Sequence, residues 1–126
     1  MQVIKKSNVP VRDFGEGLKL QILLDKQNNA KNLDMGTVEI APNSKTGMHS
    51  RSFEEVIYML KGEGQVVLEN GEVYTLQTGD SILIPPGITH CHANATNEPL
   101  EQLYIFAPQA GDKIQTQLRE LRIIKG

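Results

Sequence analysis

Leu18, Leu20, Ile22 and Leu24 alternate with Lys19, Gln21 and Leu23, a period of two that gives a strand with one apolar face. Residues 33–41 read as a second strand, weakened at Gly36, and Pro42-Asn43-Ser44 ends it. Proline cannot donate to a ladder, and Asn and Ser favour turns. Residues 45–51 read as a short strand. Residues 55–60 form another, apolar on both faces and so expected to be covered on both sides. Residues 65–68 and 72–76 flank Asn70-Gly71, a strong hairpin signal. Between Gly79-Asp80 and Pro86-Gly87, both turn-forming pairs, residues 81–84 are short, apolar and partly β-branched, as a buried strand should be. A strand bearing His90 and His92 follows, and residues 100–107 make a last long one. At the start, residues 2–5 read as a short strand, and the polar residues 25–32 as a loop. Near the end, Asp112 can cap a helix in which Ile114, Leu118 and Leu121 share a face. About ten short strands with frequent turn signals predict an antiparallel sandwich or small barrel.

The 126 residues fit one domain, 1–126, with a single core. A net charge of −2 with both signs scattered offers no basic stripe for nucleic acid. No apolar run approaches the ~18 residues of a membrane span. Met1-Gln2-Val3-Ile4-Lys5-Lys6 lacks the apolar core of a signal peptide, so a cytoplasmic location is expected. The single cysteine, Cys91, excludes an internal disulfide.

The chain has 3 histidines. His90 and His92 are two apart, so on a strand both face one way and Cys91 the other. That parity makes Cys91 a packed residue rather than a nucleophile. His49 opens a similar strand-rich stretch. Glu54 should face away from Glu55 and lie on the surface. Tyr58, Tyr104 and Phe106 read as core or pocket lining, and Met35, Met48 and Met59 as padding.

Together these stretches resemble the cupins, small β-barrels marked by two motifs on neighbouring strands. The second motif runs Gly, five residues, Pro-x-Gly, two residues, His, three residues, Asn, and is matched by Gly79, Pro85, Gly87, His90 and Asn94. The first runs Gly, five residues, His-x-His, three or four residues, Glu, six residues, Gly. His49, Glu55 and Gly62 match it at the right spacing, within residues 43–62. Asn43 replaces the first glycine, a mild change because both tolerate left-handed geometry. Arg51 replaces the second histidine.

The resemblance implies an all-β fold, an antiparallel double-stranded β-helix or jelly-roll barrel, here with a short C-terminal helix. It also implies a divalent metal inside the barrel, held by His49, Glu55 and His90. Two imidazoles and a carboxylate leave open positions that suit Fe, with Mn, Ni, Co or Zn as alternatives. Arg51 cannot supply the missing ligand, because its guanidinium has no lone pair to offer. His92 can, if both imidazoles of His90-Cys91-His92 converge on the metal. The alternative is a histidine that hydrogen-bonds within a polar barrel. For the set as a whole, the alternative is a polar cluster without metal.

Arg51 has three readings: inward, as an anchor for a carboxylate or phosphate; paired with Glu55, repelling a cation; or turned to solvent. Its parity with His49 favours an inward side chain, open to either of the first two. The expected function is a metal-dependent enzyme acting on a small polar or anionic molecule by oxygenase, isomerase, lyase or decarboxylase chemistry. Glu55 and Arg51 are its catalytic candidates. The competing expectation is a metal-free small-ligand module anchored by Arg51. Val56, Tyr58 and Leu60 on the outer side of their strand predict a homodimer.

Overall fold

The computed structural model describes residues 1–126, in two antiparallel sheets and one short helix. The strands are β1 (Val11–Gly15), β2 (Leu18–Leu24), β3 (Asp34–Ile40), β4 (Ser44–Lys45), β5 (Glu54–Lys61), β6 (Gly64–Leu68), β7 (Val73–Leu76), β8 (Ser81–Ile84), β9 (His90–Asn94), β10 (Leu100–Ala107) and β11 (Ile123–Lys125), and the helix is α1 (Asp112–Arg119). One sheet runs β11-β1-β2-β3-β10-β5-β8 and the other β4-β9-β6-β7. The two curl into a jelly-roll barrel whose core draws on both: Leu20, Ile40, Ile57, Met59 and Leu100 from the larger sheet, Val66 and Leu76 from the smaller. No helix is long and apolar enough to cross a membrane.

Alternation explains the best-formed strands. β10 buries every second residue, Leu100, Gln102, Tyr104 and Phe106, and pairs with β3 on one side and β5 on the other. The hairpin around Asn70-Gly71 forms as its sequence requires, with β6 and β7 in register. Tyr104 packs so closely against Gly36 that any side chain there would press into its hydroxyl and into the Gln21 carbonyl. That contact accounts for a glycine inside β3.

Several expectations need correction. Residues 2–5 form no strand; the first ordered turn is a 3-10 turn over Lys6–Asn8, and Met1 and Val3 lie exposed with no core to join. Instead β1 and β11 pair at the sheet edge. The strand expected over residues 45–51 shrinks to β4. Beyond it Thr46 takes over the ladder's work: its N–H donates to the His92 carbonyl and its Oγ1 accepts from the His92 N–H. β5 and β8 are not covered on both sides. Glu55, Ile57 and Met59 face the core, whereas Tyr58, Leu60 and Leu83 are exposed, because no second layer of this chain packs outside them. The helix is capped by Gly111 rather than Asp112, which is its first residue and sits favourably at the positive end of its dipole. Ile114 and Leu118 pack on the core from the helix, and Leu121 joins them from beyond its end at Arg119 rather than from the helix itself.

Candidate metal centre

Two turns bring the histidine-bearing segments side by side. Asn43 adopts φ 55°, the left-handed geometry its place in the motif demands. Gly87, at φ 82°, donates its N–H to the Arg51 carbonyl at 2.8 Å, tying the loop before β9 to the loop before β5. His49 then pairs with His90 by two reciprocal backbone hydrogen bonds, each 2.9 Å. Residues paired in this way have Cα atoms about 5.5 Å apart, with side chains on one face. The imidazole centroids accordingly lie 4.5 Å apart for His49 and His90, 4.9 Å for His90 and His92, and 5.6 Å for His49 and His92.

Glu55 approaches from the opposite wall. It belongs to β5 of the larger sheet, flanked by Ile84 and Phe106, and reaches across the interior to the histidines. Its Oε2 lies 3.0 Å from His92 Nε2 and its Oε1 3.4 Å from His90 Nε2. One ligand atom from each of His49, Glu55, His90 and His92 falls within 4.8 Å of all the others. Two atoms each about 2.1 Å from a common ion, at right angles, stand about 3 Å apart, so these separations suit a shared divalent cation.

The protonation states suit it as well. Burial pushes the His49 imidazolium down to about 4; the Gly47 carbonyl opposes this, and the charge of Arg51 adds to it. His49 is therefore neutral at neutral pH, with a lone pair to give. Burial alone would raise the Glu55 carboxyl, but His90 and His92 outweigh it and hold the group ionised, well below the usual range. For His90, burial acts to lower the value, and Glu55 and the Ile88 carbonyl reverse it, so the net shift is upward.

Outer contacts orient two of the rings. His90 Nδ1 meets the Ile88 carbonyl at 2.8 Å and His49 Nδ1 meets the Gly47 carbonyl at 3.0 Å. Each turns the ring so that Nε2 faces the centre, the common device of metal-binding histidines. What the protein leaves undone is equally informative. His90 Nε2, both ring nitrogens of His92 and Glu55 Oε1 are buried without a directed hydrogen bond. Unpartnered buried polar atoms are rare, because desolvation is costly. Three of them converging on one point, Nε2 of His90 and of His92 with Glu55 Oε1, fit a cation held there.

Arg51 does not pair with Glu55, whose charged contacts are His90 and His92. Its Nε is buried without a partner, and its Cζ lies 5.9 Å from the centre of the Phe106 ring. It borders both an interior cavity of ≈ 280 Å³ and an outer cleft beside Ser50, Ser52 and Gly87. The cavity reaches His49, Glu55 and His92, and its other walls are largely apolar. Tyr104 and Phe106 line it, as does Met48; Tyr58 lies outside, Cys91 is buried away from it, and Glu54 is exposed. Sequence reasoning passed over Gln102, Phe14 and Leu118, which also line it. Gln102 had a signal: it is the polar member of the inward parity of β10.

The cupin domain family's sequence profile matches residues 36–106, more than half of the chain, and the chain belongs to that family. It is 41% identical over 66 residues to an uncharacterised protein of Methanocaldococcus jannaschii, covering 52% of each. It is also 41% identical over 59 residues to a 3-hydroxyanthranilate 3,4-dioxygenase of Ruegeria pomeroyi, covering 44% of this chain and 33% of that enzyme. The chain thus spans about half or less of the length of these relatives. Among solved structures, a predicted oxalate decarboxylase of Thermotoga maritima superposes with a TM-score of 0.74 at 26% identity, over 85% of this chain and 99% of that one.

Proposed function

We propose that this cupin is a metal-dependent enzyme acting on a small anionic molecule. His49, Glu55, His90 and His92 would hold one divalent ion, with Fe, Mn, Ni, Co and Zn all compatible with three imidazoles and a carboxylate. The convergence of unpartnered ligand atoms from three of these side chains carries the reading. When bound, the metal would act as a Lewis acid with positions open to substrate oxygen or O₂. Arg51 would bind the substrate's anionic group through its planar fork of donors. Leu118 of α1 and the apolar walls of the cavity would exclude bulk water from the bound molecule. The dioxygenase and decarboxylase likenesses support a small acid as substrate and leave oxygenase, decarboxylase, isomerase and lyase chemistry as the reaction classes to assay.

A second reading has a specific support. The unpartnered Nε of Arg51 needs only an anion, so a metal-free binding module anchored by Arg51 is the alternative. Elemental analysis of untagged protein, alongside His49→Ala and His92→Ala, separates the two. Near-stoichiometric metal that is lost in both variants supports the enzyme reading. Wild-type protein that takes up no metal after supplementation and dialysis defeats it.

A further inference from the structure

β10 directs four side chains inward, and three of them suit a barrel interior. Gln102 does not. It is only 5% exposed as a residue, and its amide, engaged by no side-chain hydrogen bond and not sealed off, opens onto the cavity. An amide among apolar cavity walls is one of the few polar groups that can orient a bound molecule there. Arg51, bordering the same cavity, has its Nε buried without a partner. Around these two, Phe14, Leu20, Val38, Ile57 and Phe106 make apolar walls.

We propose that the cavity takes a compact carboxylic acid with an aromatic body, its carboxylate on Arg51 and a polar ring substituent read by the Gln102 amide. This rests on the Proposed function in placing the substrate beside the metal centre. Three observations narrow the class. A sugar needs a hydrogen-bonding partner for most of its hydroxyls, and these walls offer few. A phosphate ester brings close to two negative charges, and Arg51 is the sole Lys or Arg on the cavity wall. A volume of ≈ 280 Å³ has room for a body of one or two rings. Phe106 adds an aromatic face, and the guanidinium beside it pairs bidentately with a planar carboxylate.

Calorimetric titration with benzoate, 3-hydroxybenzoate, acetate and benzamide tests this on both metal-stripped and zinc-supplemented protein. Benzoate is expected to bind at least tenfold more tightly than acetate, which lacks the body, or benzamide, which lacks the charge. 3-Hydroxybenzoate should exceed benzoate severalfold. Gln102→Leu should erase that last preference and leave benzoate binding intact. Arg51→Gln should erase the preference for benzoate over benzamide. Arg51→Lys, the milder variant, should weaken benzoate severalfold while circular dichroism stays that of the wild type. Equal binding of acetate and benzoate would overturn the inference, as would benzoate affinity that survives Arg51→Gln. Metal uptake without benzoate binding also overturns it and leaves the metal centre standing. Benzoate binding by protein that takes up no metal supports it and defeats the metal-centre reading instead.

Discussion

His92 Nε2 lies 3.0 Å from Glu55 Oε2, and His92 sits on the strand of His90 rather than beside His49. The motif position that would have carried a histidine holds Arg51, yet three imidazoles still surround one carboxylate. Four potential donors remain, one of them on a different strand from the motif's, and the vacated position places a cation beside the cavity. His92→Ala and Glu55→Gln should each lower zinc affinity at least tenfold, measured by competition with a chromophoric chelator. Arg51→Gln should leave that affinity within about threefold, since Arg51 supplies no ligand. A large loss in Arg51→Gln would mean that the cation positions the site rather than the substrate.

Gly36 should tolerate no side chain. Gly36→Ala would force Tyr104 or β2 to shift and should cost about 1–3 kcal/mol in urea unfolding, the usual penalty of overpacking a core. Tyr104→Phe in the same background should recover part of the loss by removing the hydroxyl in the way.

Away from the cavity, Arg119 grips Asp25 through Nε at 2.9 Å and Nη2 at 2.7 Å, latching α1 to the turn after β2. Burial acts to raise the Asp25 carboxyl, but Arg119 and the backbone N–H groups of Gln27 and Asn28 outweigh it, so it titrates below its ordinary value. The sign follows from linkage: a depressed carboxyl stabilises the fold above its unfolded value, near 4, and that contribution fades as pH falls through the folded one. Asp25→Asn should therefore cost about 1–2 kcal/mol near neutrality and progressively less below about pH 4. Melting temperatures of both proteins across that range should converge on the acid side. Asp34 shifts the other way, chiefly through burial and in part through the charge of Asp25, so Asp25→Asn also relieves part of the Asp34 shift.

Tyr58, Leu60 and Leu83 leave an apolar patch on the outside of β5 and β8, with Val56 and Leu83 cross-strand partners. Light scattering should give a dimer, and Leu83→Glu a monomer with an unchanged metal content. A wild-type monomer at tens of micromolar would remove this face as an interface.

The strands of the barrel were legible because their signals are local, and the cluster because its two motifs resemble those of the cupins. A period of two assigns faces, and the resemblance of the motifs around Asn43 and Gly87 implies the His49–His90 pairing that the structure shows. The edge pair β1 and β11 was not, since Val11-Arg12-Asp13-Phe14-Gly15 lacks alternation and its partner lies at the far end of the chain. Arg51 kept three readings because residues 46–53 leave the regular strand geometry on which parity arguments depend. Tyr58 looked like core because its strand is apolar throughout, and only the layer count shows that its outer side is bare.

The histidines hang from one wall of the barrel and Glu55 from the other. A metal seated there would bind the closed barrel and have little affinity for an opened one, so its occupancy would be coupled to the cohesion of the two sheets. A free metal concentration a hundredfold above its dissociation constant would contribute about 2.7 kcal/mol to folding. Scarcity would then be felt first as a shorter lifetime against proteolysis, before any question of turnover arises, and half-life in cells would report the metal supply.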